Sequence, residues 1–394
     1  MFFMTEMIKK RLCELIDEAI SDGTTAGMSM LVRKDNEEFF YTNRGYKNRE
    51  EKKEIRRDTI FRLYSMSKPI TAAAAMILME QGKLDLAQPI EEILPGFKGL
   101  QVEENGVLRP AGKILTSVHL LNMTSGLTYG GENTKAGKLI GEYLQFCETK
   151  MHTDQAVTTE KFANHIGTFP LAFDPDSSWC YGLSADILGA VIEQVSGMRF
   201  GEFLEKYLFA PLGMKDTGFW VAPEKRHRLA DAYETVGNGD MIPYRGNHLV
   251  ISYKMETPPA FESGGAGLVS TIDDYARFAQ MLLNGGCLDG VRVMSSRTVE
   301  FLTSGSLLTN QQNAMNQWLG MEGYTYSHLM RRVKDTGRTC GISLEGEYGW
   351  DGWLGCYFEN FPNENMTILI MQQKKDAGTI SLTRKLRNVL LSSL

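Results

Sequence analysis

The chain has few cysteines and histidines, and neither residue type is grouped. Its six cysteines are far apart and form no Cys-x-x-Cys pair, and its six histidines show no His-Glu-x-x-His or other metal-ligand spacing. Gly-x-Gly-x-x-Gly and phosphate-loop patterns are absent as well. We therefore expect free thiols, no structural or catalytic metal and no cofactor.

Excess positive charge and long apolar runs are also missing. The net charge is −6 and the isoelectric point is near 5.7, with no extended Lys/Arg run, so we expect no nucleic-acid partner. No apolar stretch reaches the roughly 18–20 residues that cross a bilayer. The first seven residues lack the basic region, apolar stretch and cleavage site of an export signal, so we expect a cytoplasmic protein without a membrane partner.

Gly-x-Ser-x-Gly, the nucleophile elbow of one class of serine hydrolases, is absent. The chain instead has Ser65-Met66-Ser67-Lys68 before an Ala-rich apolar segment, 69–81, that is typical of a buried helix. Ser65 and Lys68 then share one helix face. A serine needs a base, and lysine acts as one where burial at a helix N-terminus lowers its pKa. The alternative is an N-cap serine beside an unrelated exposed lysine.

Two further segments carry candidate site residues. Tyr181 precedes a predicted helix, where its hydroxyl could relay a proton and a nearby cation would ease its ionisation. Residues 349–353 enter a C-terminal strand, and Gly352 permits a backbone N–H to approach a substrate oxygen closely. The alternatives are a tyrosine that only lines a core or cleft, and a turn with aromatic packing.

Strand patterns occur at both ends of the chain, with helix patterns between them. Hairpins are predicted at 27–42 and 349–372, and helices at 69–81, 117–122, 137–148, 184–196, 200–207, 271–284 and 379–391. We predict an α/β fold of the α+β type: an antiparallel sheet flanked by helices, with an inserted mainly helical lobe. The sheet lobe comprises residues 1–65 and 265–394, the helical lobe residues 66–264, and the active site lies in the cleft between them.

Taken in order, several segments resemble the serine β-lactamase and penicillin-binding protein superfamily, specifically its class C-like branch, which includes family VIII carboxylesterases. The similarity covers nearly the whole chain and implies the β-lactamase/transpeptidase-like fold. It is carried by the nucleophile box at 61–68, by Gly82-Lys83-Leu84-Asp85-Leu86, by Leu120-Leu121-Asn122-Met123-Thr124-Ser125-Gly126-Leu127 with Met123 where histidine is usual, by Pro211-Leu212-Gly213-Met214-Lys215-Asp216-Thr217, and by Gly264-Gly265-Ala266-Gly267-Leu268.

The resemblance implies a role for each candidate. Ser65 is the expected nucleophile, Lys68 the base that activates it and Tyr181 the partner in proton transfer. The backbone N–H groups of Ser65 and Trp353 are the expected oxyanion hole. A covalent acyl-enzyme divides acyl transfer into two easier steps, and the two amides stabilise the tetrahedral intermediate.

The departures from the family pattern concern the substrate-binding residues. Leu183 stands where the family has the asparagine of Tyr-x-Asn, and Trp350, Asp351 and Gly352 stand where it has Lys-Thr-Gly or a close relative. We expect these four residues to contact the substrate. Losing the cation removes a charged contact of about 1.5–3 kcal/mol and Asp351 adds repulsion, so carboxylated substrates should be disfavoured.

These features predict a serine hydrolase, either a carboxylesterase or an acyltransferase, that acts through an acyl-enzyme on small to medium uncharged esters. Four aromatic residues are expected to form an apolar acyl pocket: Tyr64, Trp179, Trp350 and Trp353. Two alternatives stay open: a β-lactamase or D-alanyl-D-alanine carboxypeptidase, and a catalytically silent binding protein with this fold. The natural acyl and alcohol groups, the acceptor and the oligomeric state are not predicted.

Overall fold

The computed structural model describes residues 6–131, 133–237 and 239–394. Residues 1–5, which make up most of the segment considered for an export signal, lie outside the described residues, as do Glu132 and Asn238. Among the helices of the described ranges, none has both the length and the apolar character needed to cross a membrane.

The described residues form thirteen α-helices, sixteen strands and five short turns of 3-10 or π-helix. The helices are α1 (Glu6–Ser21), α2 (Ser67–Glu80), α3 (Ile90–Ile93), α4 (Ser117–Leu121), α5 (Lys135–Lys150), α6 (Thr159–Ile166), α7 (Ser184–Ser196), α8 (Phe200–Leu204), α9 (Ala210–Leu212), α10 (Ile272–Leu283), α11 (Ser296–Leu302), α12 (Thr309–Met315) and α13 (Ser381–Leu391). The 3-10 turns are Tyr64–Met66, Pro95–Phe97, Pro223–Arg228 and Pro362–Glu364, and the π-helical turn is Glu205–Phe209.

The strands are β1 (Gly27–Lys34), β2 (Glu37–Asn48), β3 (Lys53–Glu54), β4 (Phe61–Arg62), β5 (Gln101–Glu104), β6 (Val107–Pro110), β7 (Ala232–Thr235), β8 (Met241–Tyr244), β9 (Val269–Ser270), β10 (Cys287–Leu288), β11 (Val291–Arg292), β12 (Tyr324–Ser327), β13 (Met330–Val333), β14 (Tyr348–Asp351), β15 (Tyr357–Phe361) and β16 (Met366–Met371). Eight of them form one antiparallel sheet in the order β12-β13-β14-β15-β16-β1-β2-β3. The N-terminal and C-terminal strands meet where β1 pairs with β16, with Met30 opposite Ile370. One sheet is therefore built from both ends of the chain, as predicted.

Alternate residues of each strand point to opposite faces of the sheet, and apolar residues pack against both faces. Met30 of β1 packs in one apolar cluster with Leu12 of α1 and Leu386 of α13. Its neighbour Leu31 belongs to the larger cluster that contains Ile70 of α2. Helices α1 and α13 thus cover one face, while α2 and α10 lie against the other.

Helix α2 is the central element of the fold. It begins at Ser67, two residues before the predicted start, directly after the 3-10 turn Tyr64–Met66. Twelve of its fourteen residues are buried, and its small alanine side chains allow α7 and β14 to pack close to it. The helix ends before Gly82, which has a φ of 68° that favours glycine over other residues.

The segments next to the two proposed lobe boundaries lie beside each other. Strand β4 pairs with β9, which places Phe61 opposite Ser270. The first turn of α2, the loop before α7 and the end of β14 are brought together beside this pairing. The proposed lobe boundaries, at residues 65/66 and 264/265, stay predictions.

Candidate active site

Ser65 lies on the 3-10 turn before α2 and lines a cavity of about 800 Å³. The preceding residue, Tyr64, has a φ of 48°, in the left-handed region that bulky side chains rarely occupy. Its ring packs edge-on against that of Trp353, with centroids 5.0 Å apart. Backbone conformations of this kind cost free energy and cluster at functional sites, so the turn is a fitting place for a nucleophile.

Lys68 is fully buried one turn further along and has three polar neighbours. Its Nζ lies 3.2 Å from Ser65 Oγ, 3.1 Å from the Tyr129 hydroxyl and 2.8 Å from the carbonyl oxygen of Gly265. Burial lowers the pKa of the amine to about 7, although the charges of Asp186 and Asp351 act in the opposite direction. The prediction that burial lowers the pKa of Lys68 therefore agrees with its position.

The three neighbours suit a neutral amine, which has two N–H groups and one lone pair. The Gly265 carbonyl can only accept, so one N–H points to it. The Tyr129 hydroxyl can accept the second N–H, which leaves the lone pair facing the hydroxyl of Ser65. In this arrangement Ser65 donates its proton to Lys68, as a general base requires.

Asp186 of α7 holds the turn that contacts Lys68. Its Oδ1 accepts hydrogen bonds from the Ser263 hydroxyl and from the Gly265 N–H, the latter at 3.1 Å. A Cβ atom at Gly265 would lie 2.5 Å from the Asp186 carboxylate, so only glycine allows this approach. Burial raises the pKa of Asp186, while the charge of Lys68 lowers it.

Tyr181 lies in the loop before α7, and its ring centre is 4.5 Å from Lys68 Nζ. Its hydroxyl accepts a hydrogen bond of 2.9 Å from Trp350 Nε1 and lies near the hydroxyl of Ser65. Burial raises the pKa of Tyr181 well above its usual value, and this outweighs the opposite effects of Ser65 and Trp350. Burial therefore favours the neutral phenol, and the effect of a nearby cation on its ionisation stays a prediction.

Tyr129 was not predicted from the sequence, although its hydroxyl contacts the proposed base. It lies in the loop after α4, two residues beyond Leu127, and packs edge-on against Tyr181 with ring centroids 5.7 Å apart. The sequence offered one indication, because Tyr129 closely follows the family-like segment at 120–127. No spacing rule connects it to Lys68, 61 residues away.

The end of β14 approaches Ser65 through its glycine. A Cβ atom at Gly352 would lie 2.1 Å from the carbonyl oxygen of Leu63, so a larger residue would push the strand away from the 3-10 turn. This contact brings the backbone of Trp353 beside the cavity that Ser65 lines. Within the part of the chain that the structure describes, the Trp353 N–H has no hydrogen-bond acceptor. The oxyanion hole formed by the amides of Ser65 and Trp353 stays a prediction.

Asp351 is not the free anion expected from the sequence. Its Oδ1 lies 2.5 Å from Nη1 of Arg331, a residue of β13 whose side chain is 2% exposed. The strand register explains the contact, because Arg331 lies opposite Gly349, which lies on the same face of β14 as Asp351. The expected repulsion is therefore reduced by an internal ion pair, and Arg331 was not predicted from the sequence.

The cavity separates the predicted substrate-binding residues into two groups. Trp350, Asp351, Gly352, Tyr64 and Trp353 line it. Leu183 does not: it is 1% exposed and packs in the apolar core at the start of α7, so it contacts no ligand there. Trp179 does not line it either, because its ring lies behind Tyr181 and Trp318. Both expectations are corrected by this packing around α7.

Metal binding is not indicated in the described ranges. No group of three or more His, Cys, Asp or Glu side chains in residues 6–131, 133–237 and 239–394 is arranged to hold a metal ion.

A family model named Beta-lactamase matches residues 12–390, and the chain belongs to this family. Protein Rv1367c of Mycobacterium tuberculosis is 29% identical over 340 residues, which cover 84% of this chain and 81% of that protein. Esterase EstB of Burkholderia gladioli is 29% identical over 286 residues, 68% of each chain. The solved structure of EstCE1, described as a hydrolase with promiscuous acyltransferase activity, superposes with a TM-score of 0.81 at 25% identity and covers 97% of this chain and 98% of that one.

These comparisons confirm three predictions. The family membership confirms the predicted resemblance, and the structural likeness confirms the α/β fold with its antiparallel sheet. The family and the esterase relatives together confirm that the chain is an enzyme of the serine hydrolase class.

Proposed function

We propose that this protein is a carboxylesterase or acyltransferase that forms an acyl-enzyme on Ser65 with small to medium uncharged esters. The observation that carries the proposal is the amine of Lys68, which is buried, has a pKa lowered to about 7 and lies 3.2 Å from Ser65 Oγ. A lysine with that pKa is neutral in a large fraction of molecules at neutral pH, so it can accept a proton from serine.

The first half-reaction forms the acyl-enzyme. Ser65 Oγ attacks the ester carbonyl carbon while its proton passes to Lys68 Nζ. The N–H groups of Ser65 and Trp353 donate to the oxyanion that develops on the former carbonyl oxygen. The carbon–oxygen bond to the alcohol then breaks, and the alcohol leaves with the proton held by Lys68, passed through the hydroxyl of Tyr181.

The second half-reaction reverses these roles. Water, or a second alcohol, attacks the acyl carbon and gives its proton to Lys68 directly or through Tyr181. The bond to Ser65 Oγ breaks, Oγ regains a proton, and an acid or a new ester is released. Hydrolysis and acyl transfer differ only in the molecule that reaches the acyl-enzyme. Esterase EstB supports the first outcome by its name, and EstCE1 supports both by its title.

The cavity walls support an uncharged, partly apolar substrate. Aromatic rings surround the proposed nucleophile: Tyr64, Tyr129, Tyr181, Trp318, Trp350 and Trp353. The Trp350 side chain donates to Tyr181 where the family usually has a lysine, so no cation stands at this position. A substrate that depends on that cation, such as a β-lactam or a D-alanyl peptide, lacks its charged contact here.

The proposal is tested by labelling with a fluorophosphonate and by ester hydrolysis. Ser65→Ala should abolish labelling and reduce kcat/KM for p-nitrophenyl butyrate by about 10³-fold or more, because the nucleophile is lost. Ser67→Ala is the matched control within the same tetrapeptide. The Ser67 hydroxyl accepts a hydrogen bond from the Leu268 N–H at 3.1 Å and does not line the cavity. The control should keep both labelling and turnover.

Three results would contradict the proposal. Full activity of Ser65→Ala would show that Ser65 is not the nucleophile. Turnover of a chromogenic cephalosporin well above that of every ester, with acyl chains from acetyl to octanoyl, would favour the β-lactamase alternative. Tight binding of an ester with no turnover and no fluorophosphonate labelling would favour a silent binding protein.

A further inference from the structure

Arg331 and Asp351 form an ion pair in the wall of the active-site cavity. Arg331 Nη1 also lies 3.3 Å from the Thr379 hydroxyl, and its Nη2 donates to Glu359 at 2.9 Å. The guanidinium therefore has two carboxylate partners at the same time. It lies against the same tryptophan that contacts Tyr181, with Cζ 5.6 Å from the Trp350 ring centre.

The two carboxylates differ in their access to the cavity. Glu359 is 0% exposed and also accepts a hydrogen bond from the Tyr357 hydroxyl, so it belongs to the interior of the protein. The Asp351 side chain is 17% exposed and lines the cavity. Asp351 is therefore the partner of Arg331 that faces an incoming ligand.

Charged side chains of both signs surround this end of the cavity, and Asp351 contributes one of the negative charges. Arg387 is paired with the buried Glu347 at 2.8 Å. Arg384 also lines the cavity, and within the described residues it has no carboxylate at ion-pair distance. Asp376 also lines the cavity and accepts a hydrogen bond of 2.6 Å from Trp353 Nε1. Neutralising Asp351 would remove the carboxylate that pairs with Arg331 on the cavity side and would make this wall more positive by one charge.

We infer that Asp351 is a specificity-determining residue: it acts as an internal counter-ion that occupies the position on Arg331 available to a substrate carboxylate, so the cavity selects neutral esters. A carboxylated ester would meet the negative charge of Asp351 and an arginine whose Nη1 and Nη2 groups already have acceptors. Its desolvation would then have no compensating contact. This inference rests on the proposed esterase function and explains its preference for uncharged substrates.

The test compares neutral and carboxylated esters that are matched in shape. One pair varies the acyl group: p-nitrophenyl butyrate and the p-nitrophenyl monoester of succinate. A second pair varies the alcohol: methyl 4-butyryloxybenzoate and 4-butyryloxybenzoate. The quantity measured is the ratio of kcat/KM for the neutral ester to that for the carboxylated ester. Both pairs are measured because the carboxylate can belong to either part of the substrate.

The principal variant is Asp351→Asn, which keeps the shape and removes the charge. We expect the preference for the neutral ester to fall about tenfold or more in at least one pair, mainly through a lower KM for the carboxylated ester. Glu148→Gln is the matched control, because Glu148 lines the same cavity away from Arg331 and a glutamine oxygen can still accept from the Val250 N–H. It should change the ratio by less than about threefold, as expected for a charge without a direct contact.

Two results would overturn the inference while leaving the proposed function intact. In the first, the neutral ester is hydrolysed but the ratio is unchanged in Asp351→Asn and in a second variant, Asp351→Ser, both with melting temperatures near that of the unmodified protein. In the second, Glu148→Gln changes the ratio as much as Asp351→Asn. If the unmodified protein hydrolyses no ester and Ser65 is not labelled, the proposed function fails and this inference fails with it.

Discussion

Two buried cations, Lys68 and Arg331, lie at the ends of one chain of contacts. Lys68 Nζ lies 4.5 Å from the ring centre of Tyr181, whose hydroxyl accepts from Trp350, and Arg331 lies 5.6 Å from the Trp350 ring centre. Both cations are removed from water, but their partners differ. Lys68 has two hydroxyls and a carbonyl, whereas Arg331 has two carboxylates.

The partners decide what each cation can do. Burial without a directly bonded carboxylate lowers the pKa of Lys68 to about 7, so its charge can be lost and regained. Burial also acts to lower the pKa of Arg331, but the neighbouring carboxylates outweigh burial and raise this pKa above its usual value. The charge of Arg331 is therefore permanent. Equal burial thus gives a proton acceptor in one place and a fixed ion pair in the other. Substitutions at Lys68 and at Arg331 should therefore have different effects on activity and stability.

The largest effect is expected from Lys68→Met. Without the base, kcat/KM for p-nitrophenyl butyrate should fall by about 10³-fold. The same change should raise the melting temperature at pH 7. The amine has a pKa of about 7 in the folded protein and an ordinary value of 10.5 when it is exposed to water in the unfolded chain, which costs the folded state on the order of 4–5 kcal/mol.

The sign of this stability change can be checked against pH. The folded state binds fewer protons than the unfolded state between the two pKa values, so the cost is complete below about pH 7 and disappears as the pH rises toward 10.5. The difference in melting temperature between Lys68→Met and the unmodified protein should shrink over that range. A variant that is less stable at pH 7, or that stays active, would contradict the role given to Lys68.

Arg331→Met should have the opposite effect on stability. Removing the guanidinium leaves Asp351 without its ion-pair partner and leaves Glu359 with only Arg387, at 3.9 Å. Breaking a buried pair in this way costs about 3–5 kcal/mol. Urea unfolding should show a correspondingly lower midpoint. Arg297→Met is the control, because the Arg297–Glu300 pair is exposed and contributes about 0–1 kcal/mol. Equal losses in the two variants would remove the distinction between the buried pair and a surface pair.

The lysine side of this comparison could be predicted from local sequence, whereas the arginine side could not. Ser65 and Lys68 are three residues apart next to an Ala-rich helix, so their proximity follows from helix geometry. The helix α7 was predicted at its observed limits because apolar spacing and Gly197 mark it clearly. The sheet built from both ends followed from strand patterns at the two termini. These features depend on neighbours in the sequence.

The missed residues depend on contacts between distant segments. Arg331 meets Asp351 only because β13 and β14 pair in one register, and a strand pattern alone does not fix that register. Tyr129 reaches Lys68 from a loop, and no periodicity positions a loop. Leu183 was assigned to the site by its place in a motif, yet the first turn of α7 directs it into the core. In each case three-dimensional packing decides the role.

The two tyrosines near Lys68 are expected to differ in importance. Tyr181→Phe removes the hydroxyl that lies near Ser65 and accepts from Trp350, so kcat/KM should fall about 10²-fold, as for a lost proton-transfer group. Tyr129→Phe removes one hydrogen bond to Lys68 and should cost about tenfold or less. Melting temperatures establish that both variants are folded. A larger loss in Tyr129→Phe would reverse the roles of the two tyrosines.

The smallest effect concerns the pH at which the enzyme becomes active. If neutral Lys68 is the base, kcat/KM should rise with pH and level off above a midpoint near the pKa of about 7. The charge of Asp186 raises that pKa, so Asp186→Asn should move the midpoint to lower pH, by less than about one unit. The asparagine oxygen can still accept from Ser263 and Gly265, which preserves the turn. A midpoint that moves to higher pH would show that a different group controls the profile. Lys68 would then resemble Arg331, a fixed buried charge, and the contrast between the two cations would be lost.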